Sequence, residues 1–173
     1  MSGVSSTKFS PNSAADRAML VTILHRTAGK PAADGGASFA DVPKGKYYSD
    51  AVAWAAGAGI VTGSGSGNFN PTGKLTREQL AVILYRYAQY EGQDVSRRAD
   101  LGAYKDGAKV SSWAKDAMAW AVAEGLITGS NQKNLTPGGS ASRAQLATIL
   151  MRLLESGDIL DQPEEASSAG IRF

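Results

Sequence analysis

Arg17, Arg77 and Arg143 occupy the same place in three similar stretches, and they are the residues in this chain best suited to holding a charged ligand. Arg77 lies in Leu75-Thr76-Arg77-Glu78-Gln79-Leu80, Arg143 in Ala141-Ser142-Arg143-Ala144-Gln145-Leu146, and Arg17 in Ala15-Asp16-Arg17-Ala18-Met19-Leu20. The preceding Thr76, Ser142 and Asp16 are N-cap types, and Thr76 with Gln79 and Ser142 with Gln145 fit a capping box. Each arginine therefore opens a helix, where the partial positive charge of the helix end favours acids instead. An anion held by the guanidinium together with free first-turn N–H groups would reverse that penalty. A solvated arginine with its stem packed on a neighbouring loop explains a single copy as well. Recurrence in three copies puts the two explanations on a level.

The same register aligns Pro11, Pro71 and Pro137, Gly3, Gly63 and Gly129, and Arg26, Arg86 and Arg152, and it matches Trp54 with Trp120 and Gly59 with Gly125. The spacing of about 60 to 66 residues defines a structural repeat. A full repeat reads as short helix, tight loop and longer helix. In residues 39–92 a helix over 50–58, capped by Ser49, precedes one over 77–90. In residues 101–157 a helix over 113–124, capped by Ser112, precedes one over 143–155. Residues 1–31 hold only the loop and the long helix, and residues 158–173 form an acidic and then Ser/Ala-rich tail, expected to be mobile. One helix pair cannot bury its own apolar face, so neighbouring repeats must share a core. The expected fold is all-α, with helix–loop–helix repeats around a pseudo-threefold axis and the first repeat lacking its leading helix. Leu20, Ile23 and Leu24 are then expected to be exposed, or covered by the tail or by a second copy in a homo-oligomer.

Composition narrows the function. The chain has 173 residues, a net charge of +2, no cysteine and one histidine. Disulfides, thiolate metal sites and cysteine nucleophiles are excluded. No basic block marks a nucleic-acid interface, and no apolar run is long enough for membrane insertion. Met1-Ser2-Gly3 opens no signal peptide, so export would need a signal elsewhere. The loop from Gly63 to Pro71 lacks the Lys-Ser/Thr of a phosphate loop and the carboxylates of a calcium loop. No cofactor or metal is expected. Acidic residues are few within the repeats and none recurs as a close pair, so a two-carboxylate hydrolase is not expected. His25 reads as a helix-face residue and not as a base.

Phe39-Ala40-Asp41-Val42, Trp54, Gly59-Ile60-Val61-Thr62-Gly63, Phe69-Asn70-Pro71 and Thr76-Arg77-Glu78-Gln79 occur in that order. Trp120, Gly125-Leu126-Ile127-Thr128-Gly129, Pro137 and Ser142-Arg143-Ala144-Gln145 repeat the pattern. In these motifs the chain resembles the S-layer homology domains of bacterial cell surfaces, over roughly residues 3 to 155. The resemblance implies a three-pronged helical bundle and non-catalytic anchoring to secondary cell-wall polysaccharide, commonly through a pyruvylated amino sugar. It implies an extracellular place at the cell wall or surface of a Gram-positive-type bacterium, and ligand grooves between adjacent repeats. The arginine of the family's Thr-Arg-Ala-Glu motif falls on Arg77 and Arg143, and on Arg17. A planar carboxylate suits a bidentate guanidinium. The motif's last Glu is here Gln79, Gln145 and Met19, and Asp16 stands in place of Thr. The groove at Arg17 is therefore expected to be the least competent.

Other candidates have two explanations each. Gly63 and Gly129 let bare backbone approach a sugar, or provide a positive-φ turn. Asp41 and Asp106 accept sugar hydroxyls, or cap a turn. Trp54 and Trp120 stack on sugar rings, or pack in the core. Tyr47, Tyr48 and Trp113 stand where the short helices begin and are candidates for groove walls. Arg26, Arg86 and Arg152 lie nearer helix C-termini, where a cation suits the dipole, and are assigned to structure.

Overall fold

The computed structural model describes residues 10–33, 38–64, 67–130 and 133–158, with side chains to residue 155. The expected tail, with Ile159, Leu160, Ile171 and Phe173, lies outside the described residues. The described chain is all-α: α1 (Arg17–Thr27), α2 (Ser49–Gly57), α3 (Arg77–Tyr90), α4 (Lys115–Ala123) and α5 (Arg143–Asp158). Single turns of 3-10 helix at Leu101–Ala103, Gly107–Lys109 and Ser112–Ala114 lead into α4.

The long helices α1, α3 and α5 begin as the caps dictate. Thr76 and Gln79 exchange both capping-box bonds, each of 3.2 Å. Ser142 and Gln145 do the same at 2.9 and 3.2 Å. The Asp16 carboxylate takes the Met19 N–H at 2.7 Å. The short helices start differently from expectation. Ser49 is the first residue of α2, and its hydroxyl donates to the Pro43 carbonyl at 2.8 Å while accepting the Lys46 N–H. That hydroxyl is spent on the preceding turn, so α2 has no side-chain cap. Ser112 opens a 3-10 turn and does not cap α4.

The residues just before the long helices join in a closed ring. Ala15 N–H donates to Ala141 O at 2.8 Å, Ala141 N–H to Leu75 O at 2.8 Å, and Leu75 N–H to Ala15 O at 2.9 Å. Antiparallel bridges flank these bonds at Ala14–Ser142, Asp16–Lys74 and Thr76–Ser140. Ala15, Leu75 and Ala141 are fully buried, so each repeat contributes one apolar side chain to a common centre.

First-turn N–H groups have no partner within their own helix. Here they reach across the ring. Arg17 and Ala18 donate to Gly73 O and Pro71 O, Arg77 and Glu78 to Gly139 O and Pro137 O, and Arg143 and Ala144 to Ser13 O and Pro11 O, all within 3.2 Å. Each helix start is thus satisfied by the loop of another repeat.

Helix pairing also crosses repeat boundaries: α1 packs on α2, and α3 on α4. His25 of α1 meets the Trp54 ring at 5.2 Å, and Tyr85 of α3 meets Trp120 at 5.5 Å. This corrects the expected exposure of α1. Leu20 and Leu24 are buried, and Ile23 is partly buried against the same core. Among the described residues, the exposed large aliphatic side chains are on α5, where Met151 and Leu154 are 52% and 45% exposed. Met151 matches His25 and Tyr85 in register. A short helix thus covers the long helix of the preceding repeat, α2 on α1 and α4 on α3.

Ser10, Asn70 and Thr136, each directly before the aligned proline, have positive φ of 49°, 59° and 52°. Asn tolerates this conformation, whereas β-branched Thr strains in it. Thr136→Asn is therefore expected to raise stability by about 1 kcal/mol. In thermal unfolding, a domain of this size should gain about 2–4 °C in Tm. A lower Tm would show that Thr136 carries no strain.

Candidate functional site

The cap arginines are neither solvated nor idle. Arg17 is 8% exposed, and its Nε donates to Phe69 O at 2.8 Å and its Nη2 to Thr62 O at 3.1 Å. Its guanidinium carbon lies 4.6 Å from the Phe69 ring centroid. Arg77 repeats the arrangement one repeat on, with Nε to Leu135 O at 2.7 Å and Nη2 to Thr128 O at 3.0 Å. Arg143 is 4% exposed and sets Nη1 3.7 Å from Met19 Sδ. The positions matching Thr62 and Phe69 for Arg143 are Ser2 and Phe9, which lie outside the described residues.

Asp41 and Asp106 hold the same loops from the other side. Asp41 accepts the Phe69 and Asn70 N–H groups at 2.8 and 2.6 Å. Asp106 accepts those of Leu135 and Thr136, both at 2.7 Å. Phe69 thus gives its N–H to an acid and its carbonyl to a base, as does Leu135. Burial lowers the pKa of Arg17 and Arg77, and the charges of Asp41 and Asp106 partly offset this. Desolvation raises the pKa of Asp41 and Asp106, but the backbone donors outweigh it and both lie below the ordinary carboxylate value.

Two grooves result. In the first, of about 340 Å³, Arg17 faces the Thr62-Gly63-Ser64 loop and the α3 residues Gln79, Val82, Ile83 and Arg86, with Trp113 as a further wall. In the second, of about 490 Å³, Arg77 faces Thr128-Gly129-Ser130 and the α5 residues Gln145, Thr148, Ile149 and Arg152. Position for position the two match, and each sets a cap arginine across from a helix arginine. Among the described residues, no Asp or Glu lines either groove. Both volumes are in the range of small-ligand sites.

Gly63 and Gly129 lie in the grooves, but not for a positive φ, which neither has. A Cβ on Gly63 would meet Asn68 O at 2.8 Å and the Phe39 ring at 3.1 Å, and on Gly129 the Tyr104 ring at 2.7 Å. Close packing of the lead-in aromatic requires them. Trp113 is 58% exposed at the first groove, while Tyr47, 65% exposed, lines neither. Burial and then the Asp16 charge raise the Tyr47 pKa. Tyr48, Trp54 and Trp120 are buried in the core. His25 is buried with Nε2 2.9 Å from Pro31 O. Asp41, Asp106 and Arg143 line neither groove.

One expectation changes. First-turn N–H groups do not await an anion, because loop carbonyls and cap side chains hold them. The Arg17 groove takes Arg17 from the first repeat and its loop and α3 wall from the second. Arg86 and Arg152, assigned to structure from their place along the helix, line the grooves. Their signal was present: Gln79, Val82, Ile83 and Arg86 follow i, i+3, i+4, i+7 and so share one helix face. Arg152 also donates to Gly125 O at 3.1 Å.

The loop acids make stability depend on pH. A carboxylate with a depressed folded pKa stabilises above its unfolded value of about 3.9, and the gain is lost as pH falls through the folded pKa. Thermal unfolding between pH 6 and 2 is expected to show a shallower acid limb for Asp41→Asn/Asp106→Asn than for wild type. Parallel curves would remove these carboxylates from the stability of the loops.

Among the described residues, no helix is long and apolar enough to cross a membrane and no cluster of His, Asp and Glu could hold a metal ion. The family model for the S-layer homology domain matches residues 38–81 and 103–147. The chain is 32% identical over 160 residues to an amylopullulanase of Thermoanaerobacterium thermosulfurigenes, covering 91% of this chain and 8% of that protein. It is 33% identical over 153 residues to the surface-layer 125 kDa protein of Lysinibacillus sphaericus, covering 87% of this chain and 12% of the relative. With S-layer protein EA1 of Bacillus anthracis it shares 26% over 121 residues, 70% of this chain and 13% of the other. It therefore spans a small part of the length of these relatives. With both complete repeats matched, the chain belongs to the S-layer homology domain family.

Proposed function

We propose that this chain is a non-catalytic module that attaches a larger protein to the outside of the cell by binding anionic, pyruvylated secondary cell-wall polysaccharide. Relatives that include surface-layer proteins and a polysaccharide-degrading enzyme, each many times longer, fit a shared anchoring segment. The observation that carries the proposal is the pair of matching grooves, each with two arginines and no carboxylate among its described lining residues. An acidic sugar finds complementary charge there, and hydroxyl, amide and backbone groups to bond its remaining oxygens. A glycosidase would need two carboxylates flanking the scissile bond, and the described residues of the grooves offer none.

The two arginines of a groove divide the work. Arg17 and Arg77 already give two donors each to loop carbonyls, so they shape the groove and add positive charge to it. Arg86 and Arg152 project from the helix wall and supply the direct partner of the carboxylate. The exposed α5 face supports a second, compatible proposal, self-association through Met151 and Leu154. Sedimentation should then show a concentration-dependent dimer that Leu154→Asp abolishes, and a monomer at all concentrations would end that proposal.

Arg86→Gln and Arg152→Gln are each expected to weaken binding to purified wall polysaccharide by about 1.5–3 kcal/mol at the affected groove, as lost charge-assisted bonds do. Tm should hold for Arg86→Gln, while Arg152→Gln, which also gives up the bond to Gly125 O, should lower it slightly. Binding should fall with salt and after chemical removal of pyruvate. Equal binding of pyruvylated and stripped polysaccharide by the wild type would overturn the proposal.

A further inference from the structure

The two grooves match in their arginines, glycines and isoleucines, but they differ in their walls. The first carries Val82 where the second carries Thr148, and among the described residues it alone of the two is lined by an aromatic side chain, Trp113. The second is larger and adds Asn134, Thr136 and Ser140 to its lining. The first is also assembled from all three repeats: Arg17 from the first, the loop and α3 from the second, and Trp113 from the third.

Trp113 is held in place although its ring is largely open. Ser111, two residues before it, gives both its N–H and its hydroxyl to the Glu78 carboxylate, each at 3.1 Å. Glu78 stands in the first turn of α3, next to Arg77. The following 3-10 turn, Ser112–Ala114, is anchored by Ala114, which is fully buried. An indole carried on an anchored backbone and 58% exposed offers apolar area for a ligand to cover, with only two side-chain torsions to order.

We infer that Trp113 makes the two grooves select different features of an acidic glycan: the Arg17 groove takes a sugar presenting an apolar C–H face beside its carboxylate, and the Arg77 groove takes one presenting hydroxyls. This rests on the glycan-binding function proposed above. In the first groove the ring face lies on the indole, Val82 and Ile83 line the same side, and the carboxylate meets Arg86. In the second, Thr148, Thr136 and Ser140 provide hydroxyl partners around Arg77 and Arg152. The chain then grips a glycan at two chemically distinct points.

The test is an NMR titration of the full chain with a synthetic amino-sugar glycoside bearing a pyruvyl ketal, and with the same glycoside lacking it. The Gly63 and Gly129 amides report the two grooves separately, and the Trp113 indole N–H reports stacking. The ketal-bearing glycoside is expected to shift the Gly63 amide and the Trp113 indole with one common Kd. Trp113→Ala should weaken that site about tenfold, the size of one aromatic contact, and leave the Gly129 site unchanged. Trp113→Tyr, which keeps an aromatic face, should restore most of the affinity. Thr148→Val should weaken only the Gly129 site. If Gly63 and Gly129 titrate alike and Trp113→Ala changes neither, the two grooves are equivalent and this inference is wrong, while the function proposed above stands. If neither amide responds to any glycoside, both are wrong.

Discussion

A closed ring of backbone hydrogen bonds governs this structure. Ala15, Leu75 and Ala141 bond one another in turn, and six first-turn N–H groups find their acceptors in loops of other repeats. Helix starts are costly to bury because their donors lack internal partners. Here each repeat supplies acceptors that another repeat needs, so no repeat is satisfied alone. Cooperative folding of the described chain follows from this shared dependence.

The ring also explains why an arginine opens each long helix. A residue at that point lies beside the loop of the following repeat, and a guanidinium can donate to two of its carbonyls at once, as Arg17 does to Phe69 and Thr62. Bonds to buried carbonyls outweigh the mild repulsion of the helix dipole. Asp41 and Asp106 grip the same loops by their N–H groups, so the loop is fixed from both sides before any ligand arrives. Structure and recognition are thereby joined. The clasp that orders the loop leaves a cationic edge, and the helix face beyond it adds Arg86 or Arg152. A site ordered in advance loses less entropy on binding.

Much of this was readable from residue types and spacing. Capping boxes, helix periods and aligned prolines located the starts of the long helices, because those signals are local, whereas α5 runs past its expected end at residue 155 to Asp158. The family motifs pointed to Arg17, Arg77 and Arg143, and of these Arg17 and Arg77 line the two grooves described. What stayed hidden was pairing across repeats. No local pattern says that α2 covers α1, so Leu20 and Leu24 were expected in the open or under the tail or a second copy, and Met151 and Leu154 were passed over. The destination of the first-turn N–H groups was hidden for the same reason. Arg86 was judged by its nearness to a helix end, whereas the face it shares with Gln79 and Ile83 was the informative feature. Gly63 and Gly129 were weighed between the approach of a sugar and a positive-φ turn; they have no positive φ, and the aromatic ring packed against each is a tertiary contact.

The most direct test is a crystal structure of this chain soaked with pyruvylated wall fragments. The sugar carboxylate should lie within hydrogen-bonding distance of Arg86 in one groove or Arg152 in the other, with the ring bonds and the Arg17 and Arg77 clasps unchanged. Density for the carboxylate away from both grooves, or at a helix start opened by rupture of the ring, would contradict the proposed recognition.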